Sequence, residues 1–206
     1  RRMSLISISK TEILRGPELE SREKLLLAGT RLMAERGVEG VNSNTMARAA
    51  GVGVGTFYRH FEDKYALLRA AVGRGLEALQ AELAEADRGA AEASLREQVR
   101  ATVSAFVHFA LREPAGFRLI FSLAAGGGRR ARAGLGFSPR AIENRLRTLQ
   151  ADGQIDPAID PAVAARAFTA AQAQAVLWWI QEPDHLDREA LIETLVRMHP
   201  AVACRS

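Results

Sequence analysis

The stretch Met46-Ala47-Arg48-Ala49-Ala50-Gly51-Val52-Gly53-Val54-Gly55-Thr56-Phe57-Tyr58-Arg59-His60-Phe61 holds two short helical patterns separated by a glycine. The first runs into Gly51 and the second starts just beyond it, at Val54. Two short helices joined by a tight glycine turn make a helix-turn-helix, whose second helix can enter a DNA major groove. That second helix offers Thr56, Tyr58, Arg59 and His60, donors and flat rings suited to phosphates and base edges. Without a DNA partner the same residues would make a packed helical hairpin. The glycines do not read as a nucleotide loop: they follow a helix where a dinucleotide fingerprint needs a strand, and no phosphate-binding lysine follows at P-loop spacing.

The flanks decide between these readings. Ser21-Arg22-Glu23-Lys24-Leu25-Leu26 through Met33-Ala34-Glu35-Arg36-Gly37 forms an amphipathic helix ahead of the turn, and Phe61 to Leu68 opens another behind it. This order resembles the amino-terminal DNA-binding domain of the TetR family, the tetracycline-repressor-like bacterial regulators. The resemblance rests on Ala50-Gly51-Val52, on Gly55-Thr56-Phe57-Tyr58-Arg59-His60-Phe61 and on Lys64, and covers about residues 21 to 70.

It implies roles residue by residue. Asn42, Ser43 and Asn44 take the capping and DNA-contacting start of the second helix, where side-chain oxygens and backbone N–H groups meet phosphate. Thr56, Tyr58 and His60 fall where the family's third helix touches bases and backbone, and Lys64 where a phosphate contact opens the fourth. Phe57 and Phe61 are expected to point inward and lock the recognition helix. Two departures matter: Gly53 stands where the family often has a serine, and Asn42-Ser43 replaces the commoner pair of threonines. Val54 offers only methyl groups, which suit a thymine methyl, while Arg59 suits a guanine edge.

Charge follows the same division. Residues 1–70 carry 12 Lys or Arg against 8 Asp or Glu, and residues 71–206 carry 16 against 16, so the formal excess of +4 sits on the helix-turn-helix segment. That is the footprint of a nucleic-acid-facing domain joined to a neutral one. No apolar run approaches the ~18 residues of a membrane helix. The opening Arg1-Arg2-Met3-Ser4-Leu5-Ile6 lacks a long apolar core and does not read as a signal peptide, so a cytoplasmic protein without membrane association is expected. Cys204, the single cysteine, has no internal disulfide partner and reads as a solvent-facing thiol.

Along the chain, residues 1–20 read as a flexible arm, with Gly16-Pro17 as punctuation and Ser21 as the first cap. Residues 21–70 form the helix-turn-helix domain and 71–206 a helical effector-binding and dimerisation domain. Asp63 caps a long fourth helix that stops at Gly89. Ser94 and Glu97 have capping-box spacing, and the helix they start ends before Pro114. A shorter helix carries Phe117, Ile120 and Phe121. The segment Gly126 to Gly136, with Arg129, Arg130 and Arg132, reads as a surface loop. Ser138-Pro139 and Asp160-Pro161 each start a helix with proline at its first position, and Asp187 opens the last, which runs to Pro200. The expectation is an all-α protein of about nine helices.

His60, His108, His185 and His199 are scattered without metal-ligand spacing, no serine or cysteine stands in a nucleophile setting, and no motif calls for a cofactor. An enzyme is not expected. Two readings remain: a homodimeric repressor released from its operator by a small molecule, and a DNA-binding regulator with no small-molecule effector, governed by a protein partner or by its own abundance. A closed apolar cavity would favour the first, a filled core the second. A dimer through the last two long helices would use Ala164, Ala165, Ala171 and Ala175 for close approach and Leu177, Trp178, Leu191, Leu195 and Met198 for apolar area. Its recognition helices, about one DNA turn (~34–36 Å) or somewhat more apart, would require a near-palindromic double-stranded site. The effector would be mainly apolar or aromatic, lined by Phe106, Phe109, Phe117, Phe121 and Trp178 and oriented by His108 or Gln174.

Overall fold

A computed structural model describes residues 16–126 and 139–203, and every described element is helical or a connection between helices. The chain divides into two units, 1–71 and 72–206. In the first, α1 (Gly16–Arg36), α2 (Ser43–Ala49) and α3 (Val54–His60) precede α4 (Lys64–Gly89), which begins in this unit and continues past the division. The second holds the rest of α4 with α5 (Leu95–Arg112), α6 (Pro114–Gly126), α7 (Arg140–Ala151), α8 (Pro161–Gln181), α9 (Arg188–Met198) and α10 (Pro200–Ala203). Among the described residues no helix is long and apolar enough to cross a membrane.

Most helix starts obey their caps. Asp63 Oδ1 accepts from the Ala66 N–H at 2.7 Å, Asp160 Oδ1 from Val163 at 2.9 Å, and Asp187 Oδ1 from Glu189 and Ala190. At α5 the Ser94 hydroxyl accepts from the Glu97 N–H while the Glu97 carboxylate accepts from the Ser94 N–H, the reciprocal capping box. Each satisfies N–H groups that the helix itself leaves unpaired.

Boundaries differ from the sequence reading at α1 and at α7, which begins at Arg140 with Pro139 at the cap position and not in the first turn; Ser138 lies outside the described residues. The arm expected over residues 1–20 is helical from Gly16, because proline in a first turn lacks only an N–H that would be unpaired anyway and already holds the helical φ. Ser21 is therefore no cap but an interior residue whose hydroxyl donates to the Pro17 carbonyl at 2.9 Å. Residues 1–15 lie outside the described residues. At the other end the last long helix stops at Met198, before Pro200 as expected, and Pro200 starts a further short helix, its missing N–H falling in a first turn. The tenth helix among the described residues is this one. Of the expected loop Gly126 to Gly136, Gly126 closes α6; the remainder, with Arg129, Arg130 and Arg132, lies outside the described residues, as does Cys204.

In the first unit α1 crosses α4 closely at Gly29, where an added Cβ would sit 2.6 Å from Leu67 Cδ2. In the second, α7 packs along α8 and α9 along α5. A cluster of phenylalanine rings fastens α5 to α6: Phe106 meets Phe117 edge-on at 5.2 Å, and Phe117 meets Phe121 at 4.6 Å and Phe109 at 6.5 Å. All four rings are buried, and such pairs add about 0.5–1.5 kcal/mol each beyond the area they bury.

Candidate nucleic-acid interface and ligand cavity

The turn between α2 and α3 is built by Gly51, which adopts φ +67°, a conformation that costs a residue with a Cβ about 1–2 kcal/mol. Its N–H donates to the Arg48 carbonyl at 3.1 Å and that of Val52 to Ala47 at 3.0 Å, closing the α2 terminus. Helix α3 starts at Gly53 with no side-chain cap, as the glycine in place of a hydroxyl residue foretold. Phe57 is fully buried and packs on Tyr58 at 5.4 Å and Phe61 at 5.9 Å, and the Arg22 guanidinium lies 5.5 Å above the Phe61 ring. The inward roles of Phe57 and Phe61 thus set which side of α3 faces solvent. That side carries Val54, Gly55, Tyr58 and Arg59, with Tyr58 58% exposed and the Arg59 side chain 60% exposed.

The other named DNA-contact residues are more constrained. Asn42 Oδ1 accepts from the Thr45 N–H at 2.9 Å, and Thr45 Oγ1 returns the favour to the Asn42 N–H at 3.1 Å. The Asn42 side chain is thus engaged in capping α2, Ser43 is half-buried and Asn44 exposed. Thr56 is half-buried. His60 has its Nε2 buried without a hydrogen-bond partner, and burial, aided by the neighbouring Arg59, holds its pKa below the ordinary histidine value. Arg59 has an intradomain partner in Glu18, at a loose 3.9 Å. Arg48, on the last turn of α2, is exposed and was not singled out in the sequence; only its helical register against buried Met46 and Ala47 would have flagged it.

Lys64 is placed differently from the phosphate contact implied by the resemblance. Its ammonium donates to the Val38 carbonyl at 2.9 Å, to Glu39 Oε2 at 2.9 Å and to the Val41 carbonyl at 3.4 Å. An ammonium has three protons, so the donors are used within the domain, pinning the α1–α2 loop. The Tyr65 hydroxyl donates to Glu39 Oε1 at 2.7 Å, and this bond, with that from Lys64, holds the Glu39 carboxyl below the usual carboxylate range.

The second unit contains a cavity of about 380 Å³. Its walls come from α4 (Gln80, Leu83, Ala84, Asp87), α5 (Val99, Thr102, Val103, Phe106), α7 with the preceding Pro139 (Ala141, Ile142, Arg145), α8 (Phe168, Gln172) and His199 at the α9–α10 junction. Of the expected ligand-binding set only Phe106 lines it. Phe109, Phe117 and Phe121 belong to the ring cluster, the ordinary fate of aromatics at helical spacing. His108 is exposed, since two residues from Phe106 is about 200° round the helix. Gln174 and Trp178 are exposed for the same reason, two and six residues from Gln172.

Gln172 and His199, which the sequence reading missed, are 5% and 4% exposed. His199 Nδ1 accepts from the Ala201 N–H at 3.1 Å, and its ring meets Phe168 edge-on at 4.6 Å. Burial, with a smaller push from Arg145, lowers its pKa to about 4. A neutral ring whose Nδ1 accepts carries its proton on Nε2. That donor and the Gln172 carboxamide find no hydrogen-bond partner among the described residues. Both polar groups therefore face the cavity space, where a bound molecule or water can meet them. Arg145 by contrast is engaged, through an ion pair with Asp87 and a 2.9 Å hydrogen bond to Gln98 Oε1. The visible signal for Gln172 was a lone polar residue one turn after Phe168 on the inward face of an apolar helix.

Burial also divides the expected dimer residues. Leu177, Leu191 and Leu195 are buried within the chain itself and have little surface to offer a partner, so they are core residues; Ala165 is likewise buried. Ala164 and Ala175 are half-buried, and Ala171 and Met198 exposed. The exposed side of α8 runs Val163, Ala167, Ala171, Gln174 and Trp178, with Val163 66% and Trp178 40% exposed.

Residues 25–71 match the family model for bacterial regulatory proteins, tetR family. The HTH-type transcriptional activator FasR of Mycolicibacterium smegmatis is 33% identical over 107 residues, 52% of this chain and 48% of that protein. The chain thus spans about half the length of that relative. A TetR family transcription regulator from Marinobacter aquaeolei superimposes with a TM-score of 0.73 at 22% identity, covering 94% of this chain and 100% of that one. FadR from Bacillus subtilis, solved in complex with stearoyl-CoA, gives a TM-score of 0.70 at 17% identity, covering 87% and 98%. Identities this low speak for the fold alone.

Proposed function

We propose that the chain, whose residues 25–71 match the family model for tetR-family bacterial regulatory proteins, is a DNA-binding transcriptional regulator of that kind: a homodimeric repressor, released from a near-palindromic operator by a small, largely apolar ligand. The observation that carries DNA binding is the solvent-facing edge of α3. Val54, Gly55, Tyr58 and Arg59 stand out on a helix whose opposite side is anchored by fully buried Phe57. Tyr58 serves backbone contact, Arg59 a guanine edge and the Val54 methyls a thymine, with Asn44 and Arg48 adding phosphate contacts from α2.

The cavity, partly open and not closed, supports ligand gating over the effector-free reading, which calls for a filled core. Its size lies in the range of ordinary small-molecule sites. A neighbour of the same fold that holds stearoyl-CoA is consistent with this. A ligand shifts such a regulator only by its differential affinity for the DNA-binding and released states. The exposed side of α8 supports the dimer, because Ala167 and Ala171 allow a second copy of the helix to approach closely while Val163 and Trp178 add apolar area.

Selection of duplexes from a random pool by the purified chain tests DNA recognition. We expect a two-fold-related consensus. Arg59→Ala should lose about 1–3 kcal/mol on that site and little on random DNA. A pool that shows no enrichment would overturn the assignment, and equal losses on both kinds of DNA would remove Arg59 from base reading.

A further inference from the structure

Two buried polar side chains meet the cavity from different elements, Gln172 from α8 and His199 from the α9–α10 junction. Phe168 links them. It lies one turn before Gln172 on the same face of α8, and its ring meets that of His199 at 4.6 Å. The Ala201 N–H occupies His199 Nδ1, so the remaining ring nitrogen presents an N–H. The Gln172 carboxamide presents donors and an acceptor, and neither side chain has a protein partner among the described residues. The rest of the lining is mostly aliphatic or aromatic, with Val103, Phe106 and Ile142 typical.

We propose that the cavity takes an uncharged, largely apolar molecule bearing a carboxamide-like group, whose carbonyl oxygen accepts from His199 Nε2–H and whose N–H pairs with Gln172. This rests on reading the cavity as a ligand site and names the chemistry that the site selects. Charge balance argues for a neutral head group. The Arg145 guanidinium is already bonded to Asp87 and Gln98, so a carboxylate entering here would compete with an existing ion pair. A bare hydrocarbon would fill the space but leave His199 and Gln172 without partners, the situation in which buried polar groups discriminate most strongly.

Three probes of nearly one shape test this by calorimetry on the full chain: 2-naphthamide, 2-naphthoate and 2-isopropylnaphthalene. The amide should bind about tenfold tighter than either of the others, the fold-change worth roughly one buried hydrogen bond. Gln172→Leu should bring amide and hydrocarbon to within about twofold, with hydrocarbon binding kept. His199→Phe should do the same, and because that residue also caps α10, Gln172→Leu supplies the comparison if His199→Phe fails to fold. Naphthoate or the hydrocarbon binding as tightly as the amide would overturn the proposal while leaving the ligand site standing. So would an undiminished amide preference in Gln172→Leu. Failure of all three probes to bind would instead overturn the ligand-site reading on which the proposal stands.

Discussion

Replacing His199 by asparagine should flatten the response of the second unit to mild acid. Asparagine keeps an oxygen close to where Nδ1 accepts the Ala201 N–H, but has nothing to protonate. In the native chain, burial, with Arg145 adding to it, lowers the ring from the ordinary 6.5 to about 4. Above the ordinary value the ring is neutral in folded and unfolded chains alike, and stability does not depend on it. As pH falls below about 6.5, the unfolded chain takes up a proton that the folded chain refuses until about pH 4, so stability is lost across that window and levels off beneath it. The full depression corresponds to about 3 kcal/mol, of which about 2 kcal/mol is lost by about pH 5. That converts to a fall of about 4–8 °C in melting temperature. Both tryptophans, Trp178 and Trp179, belong to this unit, so intrinsic fluorescence during urea or thermal unfolding reports it directly. Subtracting the His199→Asn curve cancels the carboxylates, which contribute to both proteins. Parallel stability curves for the two proteins between about pH 7.5 and about pH 5 would refute the buried neutral histidine.

Lys64→Met should lower the melting temperature of the first unit by stranding the Val38 and Val41 carbonyls, at a cost of about 1–3 kcal/mol, while the slope of log affinity for DNA against log salt stays unchanged. A slope reduced by about one unit would instead restore Lys64 as a phosphate contact. Trp178→Glu, at a side chain already 40% exposed, should leave folding intact by circular dichroism yet shift the chain from dimer to monomer in sedimentation; an unshifted dimer would remove α8 from the interface.

What could be read from the sequence was local. Caps at Asp63, Ser94, Asp160 and Asp187 act within three residues of themselves, so spacing alone located the helices they start. The glycine turn and the inward pair Phe57 and Phe61 belong to a motif whose spacing already encodes its geometry. The cavity was not local. It is lined by four helices and two connecting residues, and which side of α5 or α8 faces it depends on packing against α4 and α7. Hence Phe106 was found, and Gln174 was chosen over Gln172, two residues away on the wrong side. Leu177, Leu191 and Leu195 show the same limit: an apolar stripe announces that it will be covered, but does not say by which chain. The intradomain partners of Lys64 were not legible because they lie 23 to 26 residues upstream, in a loop whose path no periodicity describes.

The phenylalanine cluster and the chamber share α5 but divide its residues between them. Phe109 packs on Phe117 across to α6, whereas Val99, Thr102 and Val103 line the chamber, and among the described residues of α5 Phe106 alone serves both. Substitutions at Val99, Thr102 or Val103 therefore reshape the chamber without removing the Phe109–Phe117 contact. Phe106 is the position at which the shape of the chamber and the packing of α5 on α6 cannot be changed separately.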